Sequence, residues 1–199
     1  MTLKNQITSA KQPKRFKINW GLLLTILGVI AAWAPFLVER FNPVQIKGKL
    51  ISQYDNIGTF RGEEKALFLF KLNVVSVNQT FNLKDIDIEI NFEQNGWIQT
   101  TSVNQRQTFF TLKNKLRKLN VPESSFLNNY TLLKKDEPIV GYVMTTTPYF
   151  KNDKIIEIKF LFKSFDGTTK LLSFKTSEIN DIKLLYDDSI WSIPDSTNS

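Results

Sequence analysis

The segment Ile18–Val38, INWGLLLTILGVIAAWAPFLV, contains no charged side chain. As an α-helix rising 1.5 Å per residue it would be roughly 31 Å long, about the thickness of a bilayer's hydrocarbon core. The run predicts one N-terminal transmembrane helix over 18–38. A basic tail (1–17) precedes it, and a short connector (39–43), a β domain (44–191) and a disordered C-terminus (192–199) follow.

Charge is unevenly placed around this run. The formal net charge is +7, from 26 basic and 19 acidic residues. Lys4, Lys11, Lys14, Arg15 and Lys17 all precede the run with no acidic residue among them. Without those five the chain carries 21 basic against 19 acidic residues, a net of +2. Basicity concentrated beside an apolar helix marks the cytoplasmic end of a span, whereas nucleic-acid binding calls for a basic stripe on the folded domain. The expectation is therefore a single-pass protein of the cell (inner) membrane, N-terminus cytoplasmic and C-terminal domain extracytoplasmic, with no nucleic-acid partner.

The rival reading is a signal peptide cleaved after Ala34, because Ala32-Trp33-Ala34 has the small-x-small form of a cleavage site. Against it, the apolar run continues through Phe36-Leu37-Val38, and Pro35 would stand directly after the cut. An uncleaved signal-anchor fits better. Lys14, Arg15, Lys17, Trp20 and Trp33 are then the membrane-interface residues, with lipids as partners. Gly28 and Ala32 form a small-xxx-small pair, a candidate helix–helix contact for a homo-oligomer.

The chain has neither Cys nor His. Disulfides, thiolate nucleophiles, Cys-ligated metals and His-based hydrolytic triads are excluded. Neither a metal nor a cofactor is expected, and no phosphate-binding glycine fingerprint occurs.

From Val44 onward apolar residues recur with a period of two, the mark of half-buried strands. A first strand is expected to end near Tyr54, followed by a loop over Asp55–Lys65. In the next, Ala66, Phe68, Phe70, Leu72 and Val74 share one face while Leu67 and Leu69 stand opposite, as in a strand covered on both sides. Ile86, Ile88, Ile90 and Phe92 alternate with Asp85, Asp87, Glu89 and Asn91, and Asn95-Gly96 supplies a turn into Trp97–Thr101. Further strands are expected at Thr108–Leu112, Thr131–Lys135, Ile139–Thr146 and Lys154–Ser164, the last paired with Lys170–Lys175 through Asp166-Gly167. Lys113–Tyr130 reads as a short helix or a crossover loop, and Ser177–Tyr186 as a short helix or edge segment. Seven to nine short strands without βαβ alternation imply a mainly β fold, an antiparallel β-sandwich of immunoglobulin-like architecture, with a β-barrel as the alternative.

Two charged groups are candidates for binding. Asp85, Asp87 and Glu89 line one strand face about 7 Å apart in succession, a spacing open to calcium but more simply a solvated face. Lys113, Lys115, Arg117 and Lys118 form a dense basic cluster, a candidate lipid or partner contact, with Leu112, Leu116 and Leu119 at near-helical spacing beside it.

The features together predict a non-enzymatic binding or assembly module held close to the extracytoplasmic membrane surface, its partner another envelope or membrane protein. A membrane effector or channel-forming subunit, whose helix oligomerises when the β domain senses a ligand, is the second reading. A carboxylate-based hydrolase is the third.

Overall fold

The computed structural model describes residues 20–60, 62–103, 109–112, 115–175 and 190–192. These fall into two compact units, divided between Asn42 and Pro43.

The first unit contains the helix α1, Trp20–Phe41, with Pro35 inside it. It runs past Val38 because Glu39 and Arg40 are good helix formers, and it stops just before Pro43, ahead of which helical geometry is disfavoured. Most of the expected connector over 39–43 is thus helical. Among the described residues no helix is long and apolar enough to cross a membrane. The span expected over Ile18–Val38 is therefore not established by the fold.

The second unit is mainly β, built of two antiparallel sheets. Its strands are β1 (Gln45–Phe60), β2 (Glu63–Val77), β3 (Leu83–Phe92), β4 (Gly96–Gln99), β5 (Thr101–Ser102), β6 (Phe109–Leu112), β7 (Lys115–Leu119), β8 (Ile139–Pro148), β9 (Ile155–Ser164), β10 (Thr169–Lys175) and β11 (Trp191–Ser192). The larger sheet has the order β11-β7-β6-β1-β2-β8-β5 and curls into a half-barrel; the smaller has the order β10-β9-β3-β4.

The alternating pattern explains the layering. Phe68, Phe70, Leu72 and Val74 of β2 share a buried cluster with Ile86, Ile88 and Ile90 of β3 and with Ile158, Phe160 and Phe162 of β9. The sheets thus face each other across a common core, with Phe70 and Phe160 meeting edge to face at 5.3 Å between ring centroids. The opposite face of β2 is also covered. Leu67 and Leu69 join Met144, Phe110, Leu112, Leu119 and Phe126 in a second cluster, which accounts for the two-sided apolar character of this strand.

Several expectations need correction. Asp55–Lys65 is not a loop: β1 and β2 pair without a break from Ser52↔Lys71 out to Phe60↔Glu63, and only the turn through Gly62, at φ +84°, leaves the ladder. Lys113–Tyr130 contains no α-helix among its described residues; β7 pairs with β6, and two 3-10 turns, Glu123–Ser125 and Leu127–Asn129, follow. Thr131–Lys135 is not a strand but makes isolated bridges, Phe81↔Leu133 and Ser76↔Lys135. Period-two alternation places Ile156 on one face with Ile158, Phe160 and Phe162, but Ile156 does not share their buried face of β9. A bulge between the pairs Asn91↔Glu157 and Phe92↔Ile155 turns Ile156 outward, as an extra residue in one strand must. Ser177–Tyr186 lies outside the described residues.

The hairpins at Asn95-Gly96 and Asp166-Gly167 are present, with Gly96 and Gly167 at positive φ. Asp153 clamps the first, accepting hydrogen bonds from the backbone N–H of Gln94 (3.0 Å) and Asn95 (3.2 Å) and from Asn95 Nδ2 (2.7 Å). Between β4 and β5 the chain passes from one sheet to the other at Thr100. Its N–H (3.0 Å) and its hydroxyl (2.9 Å) both donate to the Ile88 carbonyl, while Thr101 pairs with Thr146 in the larger sheet.

Gly48 has no room for a side chain. A Cβ there would lie 2.5 Å from the Asn73 carbonyl oxygen and 3.1 Å from Leu172 of the facing sheet. The first neighbour is backbone and cannot swing aside, so Gly48→Ala is expected to destabilise the β domain by about 2 kcal/mol. Urea unfolding checks this; an unchanged midpoint would show that the strands separate more easily than their pairing implies.

Candidate functional site

The residues expected at the membrane interface are described unevenly. Lys14, Arg15 and Lys17 lie outside the described residues, and Trp20 opens α1. Trp33 is 61% exposed. Gly28 and Ala32 are exposed on α1, and nothing lies within 4 Å of the place a Gly28 side chain would occupy. Leu22, Leu24, Ile26, Leu27, Val29 and Ile30 are also exposed. These apolar side chains point around the full circumference of the helix, since consecutive helical residues are about 100° apart.

The basic cluster is dispersed by its strand. Lys113 lies outside the described residues. On β7, Lys115 and Arg117 alternate with Leu116 and Lys118, so the charges point to opposite faces. Leu112 and Leu119 are buried and Leu116 is exposed, so the near-helical leucine spacing forms no apolar helix face.

The acidic strip on β3 is matched by β9. Asp87 forms an ion pair with Lys163, and Asp85 accepts a hydrogen bond from Asn128 Nδ2 at 3.1 Å. The hydrogen bond and charge of Asp87 hold the Lys163 ammonium above its ordinary range. Glu89 stands opposite Lys159, whose Nζ lies 3.7 Å from the centroid of the Trp97 ring. Among the described residues no group of three carboxylates could hold a metal ion. Two clefts, one beside Gly58, Lys65 and Phe110 and one beside Asp87, Thr100 and Thr145, each have room for about one water molecule.

No family model, curated protein or solved structure matches the chain.

Two polar groups that sequence reasoning missed lie on opposite faces of β1. Toward the core, Gln53 is buried and stands opposite Phe70, while Asp55 stands opposite Phe68. Gln53 Nε2 donates to both carboxylate oxygens of Asp55, at 2.9 and 3.0 Å. Burial pushes the Asp55 carboxyl up to about 6, against the smaller downward pull of the Gln53 amide.

On the other face, Ser52, Lys71 and Tyr142 form one row across β1, β2 and β8, Ser52 paired with Lys71 and Lys71 with Tyr142. Directly paired residues project to the same side of a sheet. The Ser52 hydroxyl is buried and has no hydrogen-bond partner among the described residues. Lys71 is half-buried, with Nζ 5.5 Å from the Tyr142 ring centroid and no ion pair among the described residues. The only local hint of this row in the sequence is a lysine between Phe70 and Leu72, in the apolar middle of β2. Its neighbours are fixed by register across three strands, which no short stretch of sequence encodes.

Proposed function

We propose that the chain is a single-pass, membrane-anchored module in which α1 spans the bilayer and the β domain binds a protein or envelope component on the extracytoplasmic side, without catalysing a reaction. The observation that carries this reading is the exposed apolar surface of α1, from Leu22 to Trp33. Water is a poor solvent for so much contiguous hydrocarbon, and lipid is a good one. The uncharged run Ile18–Val38 and its five-charge basic flank give the length and the orientation. The sandwich reading is supported by the core shared between the sheets; its immunoglobulin-like character rests on that layering alone.

The test is extraction of cell membranes with alkaline carbonate. The full chain should stay in the membrane pellet, and the double substitution Leu24→Lys with Val29→Lys should move most of it to the supernatant. Each charge at a helix centre costs about 2.5–3.5 kcal/mol of insertion energy. A reporter active only outside the cytoplasm, fused after Ser199, should be active. Release of the unmodified chain by carbonate would sink the anchor, and a silent reporter would reverse the orientation.

A further inference from the structure

We infer that the end of the β domain at which the chain enters it, with Phe165 at its tip, rests on the anionic headgroups of the bilayer. The inference depends on the proposed anchor for the surface that this end meets, and on the β domain for the rest. The Pro43 carbonyl accepts a hydrogen bond from Asn78 Nδ2 at 3.0 Å, so the point of entry is tied to the connection between β2 and β3. The turn from β9 to β10 lies at the same end, because Leu83 opens β3 opposite Ser164. That turn, closed by a hydrogen bond from the Ser164 N–H to the Thr168 carbonyl at 2.8 Å, carries Phe165. At 66% Phe165 is the most exposed large apolar side chain among the described residues of the β domain. The turn is held without it: Asp166 accepts from the Thr168 N–H at 2.8 Å, and Gly167 takes the positive φ. A phenyl ring left in water at a turn that does not need it calls for an apolar surface to meet.

Charge and reach identify that surface as lipid. At the entry end Lys134 and Lys135 are matched by Glu137 (3.3 Å) and Asp136 (3.9 Å), and Lys163 by Asp87. Lys47, Lys49, Lys84 and Lys170 form no ion pair among the described residues. The carboxylates left beside them, Asp85 and Asp166, accept backbone hydrogen bonds from Ile86 and Thr168. The opposite end, where β1 turns into β2 and β3 into β4, carries Glu63, Glu64, Glu93 and Asp153 against Lys65, Lys151 and Lys154. An anionic surface therefore attracts the entry end more than the other, and an apolar ring among unpaired cations matches acyl chains beneath charged headgroups. Only Asn42, Pro43 and Val44 separate α1 from β1, about 14 Å at full extension. A folded partner, about 30 Å across even for a small domain, does not fit within that reach.

The chain contains no Cys, so a single label can be placed at will. Thr169→Cys, beside the turn, and Lys151→Cys, at the opposite end, both stand at exposed positions. Each variant of the full chain is labelled with an environment-sensitive fluorophore and placed in nanodiscs containing phosphatidylglycerol and a lipid with a nitroxide just below its headgroup. The label at 169 should be quenched several-fold more strongly than the label at 151, and should lose most of that quenching in zwitterionic nanodiscs. Lys47→Glu with Lys84→Glu should lower the fraction in contact about tenfold or more. Phe165→Ser should lower it several-fold, and since all three positions are exposed, neither variant should shift the urea midpoint. Equal quenching of the two labels in an inserted chain would overturn the contact and leave the anchor standing. Release of the unmodified chain by carbonate would remove the anchor instead, and the same two labels, read on vesicles of the same lipids, would still decide the contact. A label at 169 that is shielded from water but not quenched by the nitroxide would assign this end to a protein and overturn the inference.

Discussion

Phe160→Ala should destabilise the β domain by about 4 kcal/mol, the largest single effect expected in the molecule. Phe160 is fully buried on β9 and touches both layers. Its ring meets Phe70 of the larger sheet edge to face at 5.3 Å, and Phe174 of the neighbouring strand at 6.0 Å. Truncation removes the transfer energy of the ring and leaves a cavity between two sheets whose backbones are fixed by their own ladders, so little collapse can fill it. Phe70→Ala should behave alike. In a double-mutant cycle the pair should show a coupling of about 1 kcal/mol, the excess expected of an edge-to-face pair over its buried area. Urea unfolding followed by tryptophan fluorescence provides the measurement. A loss below about 1.5 kcal/mol for Phe160→Ala would mean that the sheets are not held by this contact.

The second large effect is a dependence of stability on pH that one substitution should remove. Asp55 titrates at about 6 in the folded protein against 3.8 for an unperturbed carboxyl. The folded state therefore holds the proton more tightly than the unfolded chain does. The stability this contributes is fully present below about pH 4, is lost progressively as pH rises through about 6, and is absent above that. The difference of about two pH units corresponds to on the order of 3 kcal/mol. Asp55→Asn keeps an oxygen to accept from Gln53 Nε2 and cannot ionise. It should flatten the stability profile between pH 4 and 7, and at pH 7.5 it should make the protein more stable than wild type by on the order of 2 kcal/mol. Equal slopes for wild type and variant over that range would show that the carboxylate is solvated well enough to ionise freely.

Much of the fold follows from short-range pattern. Ile86, Ile88, Ile90 and Phe92 alternate so regularly that their burial was readable directly, and the opposed pairs Leu67, Leu69 and Phe68, Phe70 announced a strand covered on both sides. Where the reading fails, pairing between distant residues overrides local composition. Asn56 and Gly58 look like loop residues, yet opposite Leu67 and Lys65 they are carried in a ladder. Ile51 and Ile156 sit at bulges, and one extra residue reverses the face that each would otherwise share. The basic cluster around Lys115, Arg117 and Lys118 looked dense because it was read as one surface, whereas a strand splits it in two. Asp55 is polar in a polar stretch, and only its position opposite Phe68 makes it costly. The Ser52–Lys71–Tyr142 row joins residues far apart in sequence and had no local trace beyond the lysine itself.

The corner at Thr100 bears on how the β domain comes apart. β4 and β5 are consecutive pieces of one strand, so the two sheets are joined covalently through a residue that is itself hydrogen-bonded on both sides, to Ile88 in one layer and through its hydroxyl to Thr145 in the other. Peeling either sheet away breaks this corner and exposes the core of the remaining sheet in the same step. Partial opening of one layer is thereby linked to the loss of the other, and the slowest-exchanging amides of both sheets should report a single free energy of opening.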